Sequence, residues 1–398
     1  MRLGNKTLPS IYQILGFLLI VSIWAFNEEK YITYPIKIVF ILVYGYYWLI
    51  VSHGAINKYQ IWCFLMIVAS IFATLIAGDL SLATHTLINV IQCFLIAFTF
   101  SAYLREKNQI VQFLKFFAIG GLILFIRLLI STPISAWMSF ERLGEAIGYN
   151  ANDVGNKAAI SAIISICLFR NKFEKHRWFY AVSYILLTAI VLFSGSRKAL
   201  LALVLATVLI YTIGLEKKKN LIFAILGLVV VLFVGYQVIM RNESLYQTIG
   251  RRVESMINAV FHGASESSSI DLREKYMALA WNFVKGSPIF GIGLGNFASK
   301  SGIGVYCHCD YLEVMCSYGV PIALLYYWPT ISLMFKGMKV KQKTTLDYTM
   351  IIICAVLLLS FITMVMYISA YTQILIVIVY AYLNVINKKP SIPKIKEN

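Results

Sequence analysis

Apolar blocks long enough to cross a bilayer fill most of this chain, and no other feature restricts its fold as severely. Twelve are legible, at about 10–26, 31–52, 60–77, 82–104, 110–132, 155–169, 178–196, 198–215, 220–239, 314–335, 348–368 and 371–387. A helix of about 20 apolar residues spans ~30 Å of hydrocarbon. Isolated strands in lipid leave backbone groups unsatisfied, so the blocks are expected to be helices. Of the 398 residues, 60% are hydrophobic and 13% charged, against roughly 25% charged in soluble domains. The expected fold is therefore an all-α integral membrane protein with about 12 transmembrane helices. Its weakest boundary is near 197, where only Ser194-Gly-Ser-Arg-Lys198 parts two apolar runs.

The net charge of +17 does not signal nucleic-acid binding, which gathers Lys and Arg on a soluble face. Here the basic residues occupy connections between blocks. With a cytoplasmic N-terminus, the inside segments hold Arg2, Lys6, Lys58, Arg105, Lys107, Arg170, Lys172, Lys175, Arg177, Lys217 to Lys219, Lys336 to Lys343 and the tail from Lys388. The short outside segments hold far fewer, as the positive-inside rule requires. Both termini are expected in the cytoplasm, with the segment after the ninth block outside. No cleavage pattern follows the first block, so it is expected to remain as an anchor.

That outside segment is the one long polar interruption, from Arg241 to Tyr311. It divides the chain into helices one to nine (1–240), an external catalytic loop with short helices (241–313), and helices ten to twelve with a basic tail (314–398). Within the loop, Ile249, Val253, Ile257 and Val260 recur at helical spacing in Leu245 to Phe261, as in a helix lying on a membrane surface. A Ser/Gly-rich linker runs from Gly263 to Ser269. Asp271 begins a second helix with Tyr276, Leu279, Ala280 and Phe283 on one face, stopped by Gly286-Ser-Pro288. A shorter outside segment, Ser131 to Asp153, carries Glu141, Arg142, Glu145, Asn150, Asn152 and Asp153. No repeat of solenoid or inverted-transporter type is visible.

Several residues in these segments suit chemistry. Arg197 opens a span, where an arginine either snorkels or presents its planar fork to a phosphate. Arg273 lies in Asp271-Leu-Arg-Glu-Lys275, where it forms either local ion pairs or a phosphate contact. Gly291-x-Gly-x-Gly295 lacks the strand and the Lys-Ser/Thr of a nucleotide loop and reads as a tight turn. His308 lies beside a carboxylate in a polar external segment, and its ordinary pKa suits general-base work near neutrality. Asp310 or Glu313 is placed to orient it. His53, His85, His176 and His262 lack such company. Cys63, Cys93, Cys167 and Cys354 fall inside blocks as packing residues. Cys307, Cys309 and Cys316 match no disulfide framework or zinc signature, and consecutive ligands around His308 would not converge on one ion.

Taken in order, these motifs resemble the O-antigen ligase and polymerase superfamily. The resemblance rests on Ser196-Arg197 at the head of a span, then Arg273 with Gly291-Ile-Gly-Leu-Gly-Asn-Phe297, then His308-Cys-Asp-Tyr-Leu-Glu313 entering the next span. Asn150-Ala-Asn-Asp153 and Tyr318-Gly-Val-Pro321 extend it, so that it covers roughly 145 to 335. It implies an inverting glycosyltransferase at the outer face of a bacterial inner membrane. The donor would be a glycan on undecaprenyl pyrophosphate, and the acceptor a second glycan or lipid A–core. Arg197 and Arg273 would hold the pyrophosphate, His308 would take the acceptor's proton, and Asp310 and Glu313 would support it. No cofactor or metal is expected, because arginines neutralise the leaving group. A chain-length regulator and a flippase are implied partners. A repeat-unit polymerase is favoured, with the ligase as the alternative. A transporter or flippase would instead want paired ionisable residues at midplane, and Lys37, Lys115 and Arg127 have no acidic neighbours within their blocks.

Overall fold

The computed structural model describes residues 10–387 apart from 138–142, 145–146, 172–173, 213–226, 228–229, 231–232, 252–253, 255–267 and 341–342. Its main elements are α1 (Ile11–Ala25), α2 (Lys30–Tyr46, extended by a π-turn to Val51), α3 (Lys58–Leu75), α4 (Leu80–Tyr103), α5 (Lys107–Ser131), α6 (Ala151–Arg170), α7 (Arg177–Ser194), α8 (Arg197–Thr212), α9 (Ser268–Gly286), α10 (Asp310–Tyr318), α11 (Val320–Met338), α12 (Thr345–Phe361) and α13 (Ala370–Asn387). No strand occurs among the described residues. Among the described residues, six helices are long and apolar enough to cross a membrane: α2 with its π-turn, α3, α4, α5, α7 and α13. Two apolar helices, α1 and α12, are shorter. Much of the block at 220–239, most of the expected surface helix at 245–261, the 263–267 linker, Glu141, Arg142, Glu145 and the basic stretches at both ends lie outside the described residues.

Local chemistry sets the helix ends. Ser10 with Gln13, Asn57 with Gln60 and Thr344 with Asp347 form reciprocal capping boxes, each satisfying two backbone donors that a helix start leaves unpaired. Gly195 closes α7 in the left-handed conformation (φ 61°), so the short Ser194–Lys198 spacer does separate two helices. The expected span at 314–335 is broken. Gly319 (φ 81°, ψ 167°) parts α10 from α11, and a Cβ there would run into the Ile289 carbonyl.

The bundle is built around its more polar helices. α6 is buried along almost its whole length. Its Gly, Ala and Ser residues let neighbours approach closely, the usual device when no solvent drives helices together. Gly121 of α5 packs onto Ser161, whose hydroxyl accepts from Trp24 Nε1 and donates to the Phe117 carbonyl, both at 2.8 Å. Asn156 of α6 bonds Tyr371 of α13 (3.1 Å) and Ser360 of α12 (3.2 Å).

The charges inside the blocks correct one expectation. Arg127 pairs with Glu29 and also bonds the Ala25 carbonyl and Tyr149. Lys115 pairs with Glu174 at 2.7 Å. Both carboxylates come from connections between helices, which block-by-block reading does not reach. Lys37 lies over the Tyr34 ring at 5.4 Å.

Candidate functional site

The second half of the polar segment is clamped onto the bundle by its own backbone. Leu294 N donates to Ala73 O (3.0 Å), Ile292 N to Cys316 O (2.6 Å) and Val320 N to Pro288 O (2.7 Å). Asn296 accepts from Asp79 N at 3.1 Å. The glycines make this possible. Gly291, Gly293 and Gly295 all have positive φ, and a Cβ at each would collide with the Cys316 carbonyl, with Ala77 and with Thr86 respectively. The glycine run is thus a close-packed turn. Behind it, Ala280 and Val284 of α9 share a small core with Ile292, Phe297, Cys307, Cys309 and Cys316.

Asp310 and Glu313 fix the segment that carries His308, through partners other than the imidazole. The buried Asp310 carboxylate accepts from Met366 N (2.6 Å), Tyr367 N (2.9 Å) and the Tyr327 hydroxyl (2.9 Å). It therefore ties the head of α10 to the turn between α12 and α13. Glu313 accepts from Cys307 N at 2.9 Å. Buried carboxylates with their lone pairs engaged act as rigid fasteners. The expectation that they orient the His308 ring directly is replaced by this: they hold the backbone on either side of it.

His308 itself is left-handed (φ 63°), an uncommon state for a residue with a side chain. Its half-buried ring lies nearly parallel to Tyr276 (6.1 Å between centroids, 13°) and edge-on to Tyr306 (4.6 Å, 65°). Burial pushes its pKa below the ordinary 6.5, and the charges of Arg273 and Lys198 push it the same way. At neutral pH the ring is therefore a free base.

Two cations are felt at this ring, Arg273 and Lys198. Arg273 arrives from the start of α9. Arg197 and Lys198 open α8, both half-buried, and Lys198 Nζ donates to Thr363 O at 3.4 Å. Successive helix residues point about 100° apart, and Lys198 is the one of the two whose charge is felt at His308. Sequence reasoning chose Arg197 and passed over Lys198, although the pair is adjacent. The head of α6 meets the same corner, since a Cβ on Gly155 would lie 2.8 Å from Ser196 Cβ. Two long helices thus begin here side by side, and the positive ends of their dipoles add to the side-chain charge.

The remaining candidates are quiet. Cys307 donates to Cys309 O (3.1 Å) and Cys316 to Ala280 O (3.2 Å). Burial pushes the Cys307 and Cys309 thiols up, away from the nucleophilic thiolate. Among the described residues, no cluster of three or more His, Cys, Asp or Glu side chains is placed to hold a metal ion.

The geometry can hold a polyanion against Arg273 and the α8 corner while a neutral imidazole faces a proton donor. No curated protein matches the chain. Residues 182–327 match the family model described as O-antigen ligase. That stretch contains Arg197, Lys198, Arg273 and His308, and the match supports the resemblance to the O-antigen ligase and polymerase superfamily.

Proposed function

We propose that the protein is a polysaccharide repeat-unit polymerase of the bacterial cytoplasmic membrane, building O-antigen, capsule or exopolysaccharide at its outer face. The observation that carries this reading is the imidazole of His308, neutral through burial and set beside Arg273 and Lys198. In the proposed step, a hydroxyl oxygen of the acceptor sugar attacks the anomeric carbon of an undecaprenyl-pyrophosphate-linked glycan. The carbon–oxygen bond to the pyrophosphate breaks, the configuration inverts, and His308 takes the hydroxyl proton. Arg197 and Arg273 hold the pyrophosphate, with Lys198 beside them. Fixed cations and helix N-termini stabilise charge where it develops in the transition state. With that neutralisation supplied by side chains, no metal is required. Asp310 and Glu313 keep the His308 backbone in place. Both termini lie in the cytoplasm, and residues 241–313 form the catalytic loop. A flippase delivers the substrate and a chain-length regulator works alongside.

The match to a family described as O-antigen ligase favours a second reading, transfer of the finished glycan to lipid A–core. A deletion strain separates the two. Single repeat units on lipid A–core would identify the polymerase. Bare lipid A–core with lipid-linked polymer accumulating would identify the ligase. Normal surface polysaccharide would sink both. Transport finds less support, because Arg127 and Lys115 pair with carboxylates from connections rather than at midplane.

A further inference from the structure

One of the ion pairs that the proposed reaction does not use lies at the head of α6. The Lys157 side chain is 1% exposed, and its Nζ lies 2.7 Å from Asp153 Oδ2, while Asp153 remains 22% exposed. The contact is an ion pair without hydrogen-bond alignment. The lysine is packed beneath the carboxylate and against the Tyr149 ring at 5.4 Å. Burying such a pair is expensive and adds little stability, and ionisable residues inside a membrane bundle are retained for function by default.

What the open side of Asp153 meets can be read from its neighbours. Its charge is felt by the Tyr306 phenol, as is that of Arg273. Tyr306 is 40% exposed, and its ring packs edge-on against His308 at 4.6 Å. The charges felt at His308 are those of Arg273 and Lys198. An exposed aromatic ring packed on the base, with a carboxylate close enough for its charge to be felt, suits a polyhydroxylated ring. The apolar face of such a ring lies on the aromatic, and a few polar groups fix its orientation. A carboxylate accepts hydroxyl hydrogen bonds strongly, and it would repel a pyrophosphate.

We propose that Tyr306 and Asp153, the latter held by Lys157, form the subsite for the acceptor sugar. One hydroxyl is presented to His308 for deprotonation while another donates to Asp153. This rests on the glycosyl-transfer reading above.

The test uses the full-length protein in liposomes. The donor is the undecaprenyl-pyrophosphate-linked glycan that accumulates in the deletion strain. The acceptors are that glycan freed of lipid by mild acid and, separately, lipid A–core, each titrated at fixed donor. Asp153→Asn is combined with Lys157→Met, so that no buried cation loses its counter-charge, and Tyr306→Leu is the second variant. Both are expected to raise KM for the acceptor about tenfold or more, the loss of a hydrogen bond to a charged group, while KM for the donor stays within about twofold. Acceptor KM unchanged in both variants would overturn the subsite and leave the transferase reading intact. Absence of transfer by the wild type to either acceptor would overturn the transferase reading and the subsite with it.

Discussion

His308 and Asp310 are two residues apart and live under opposite conditions. The histidine is left-handed, half-buried and pressed by two cations. The aspartate is fully buried, and three donors from the α12–α13 turn and α11 satisfy it. The difference teaches where each kind of work is done. On the proposed mechanism, the group that exchanges a proton is kept in a costly backbone state, and a neighbour whose carboxylate is fully engaged holds it there.

The sharpest way to break that contrast is to remove the imidazole. His308→Ala should abolish polymer formation, a loss of at least about a hundredfold in rate, while membrane insertion and melting temperature hold. Polymer ladders of wild-type pattern on a gel would show that His308 is not the base. Asp310→Ala should do something different in kind. Stranding two backbone donors and a tyrosine hydroxyl costs about 3 kcal/mol or more, so melting temperature in detergent and activity should fall together. An intact melting temperature with lost activity would move Asp310 into the chemistry itself.

The cations come next. Arg273→Ala and Arg197→Lys should each weaken use of the lipid-linked donor about tenfold, read as donor KM and rate in liposomes. Unchanged values in both would dismiss the pyrophosphate clamp. A smaller effect concerns pH. The rate should fall as pH drops through the His308 pKa, which burial, Arg273 and Lys198 place below 6.5. Tyr276 and Tyr306 flank the ring. Lys198→Met removes one like charge, so the histidine pKa rises and the acid limb moves to higher pH. A limb that stays put, or moves the other way, would show that Lys198 does not bear on the base. The smallest expected effect is that of a chelator, which should leave the reconstituted rate unchanged. Loss that a divalent ion restores would reopen metal chemistry.

Much of this could be seen in the chain before it was folded. Hydropathy alone located α3, α4, α5 and α13 to within a few residues, because lipid leaves a backbone little choice but helix. The glycine spacing announced a tight turn, and His308, Arg273 and the Ser196-Arg197 corner stood out as polar groups in an apolar chain. What stayed hidden depends on distant partners. The break at Gly319 lies within an apolar run that reads as continuous, and it is set by the Ile289 carbonyl some thirty residues earlier. Asp310 looked like a support for its neighbour's ring, because Met366 and Tyr367 are far away in sequence. Lys198 was passed over beside Arg197, because only the phase of α8 shows which one His308 feels. Glu29 and Glu174 were invisible as partners for the same reason.

The turn from Ser287 to Asn296 bears on how relatives of this protein can be recombined. Its main chain bonds directly to α3 and to both sides of the α10–α11 break, so it belongs to the bundle as a helix does. Chimeras that exchange the outer segment between relatives should therefore join the donor sequence ahead of Ser287. A junction placed after it would import a turn cut to fit another protein's helices, and each of its three left-handed glycines would have to find a new surface flat enough to lie against.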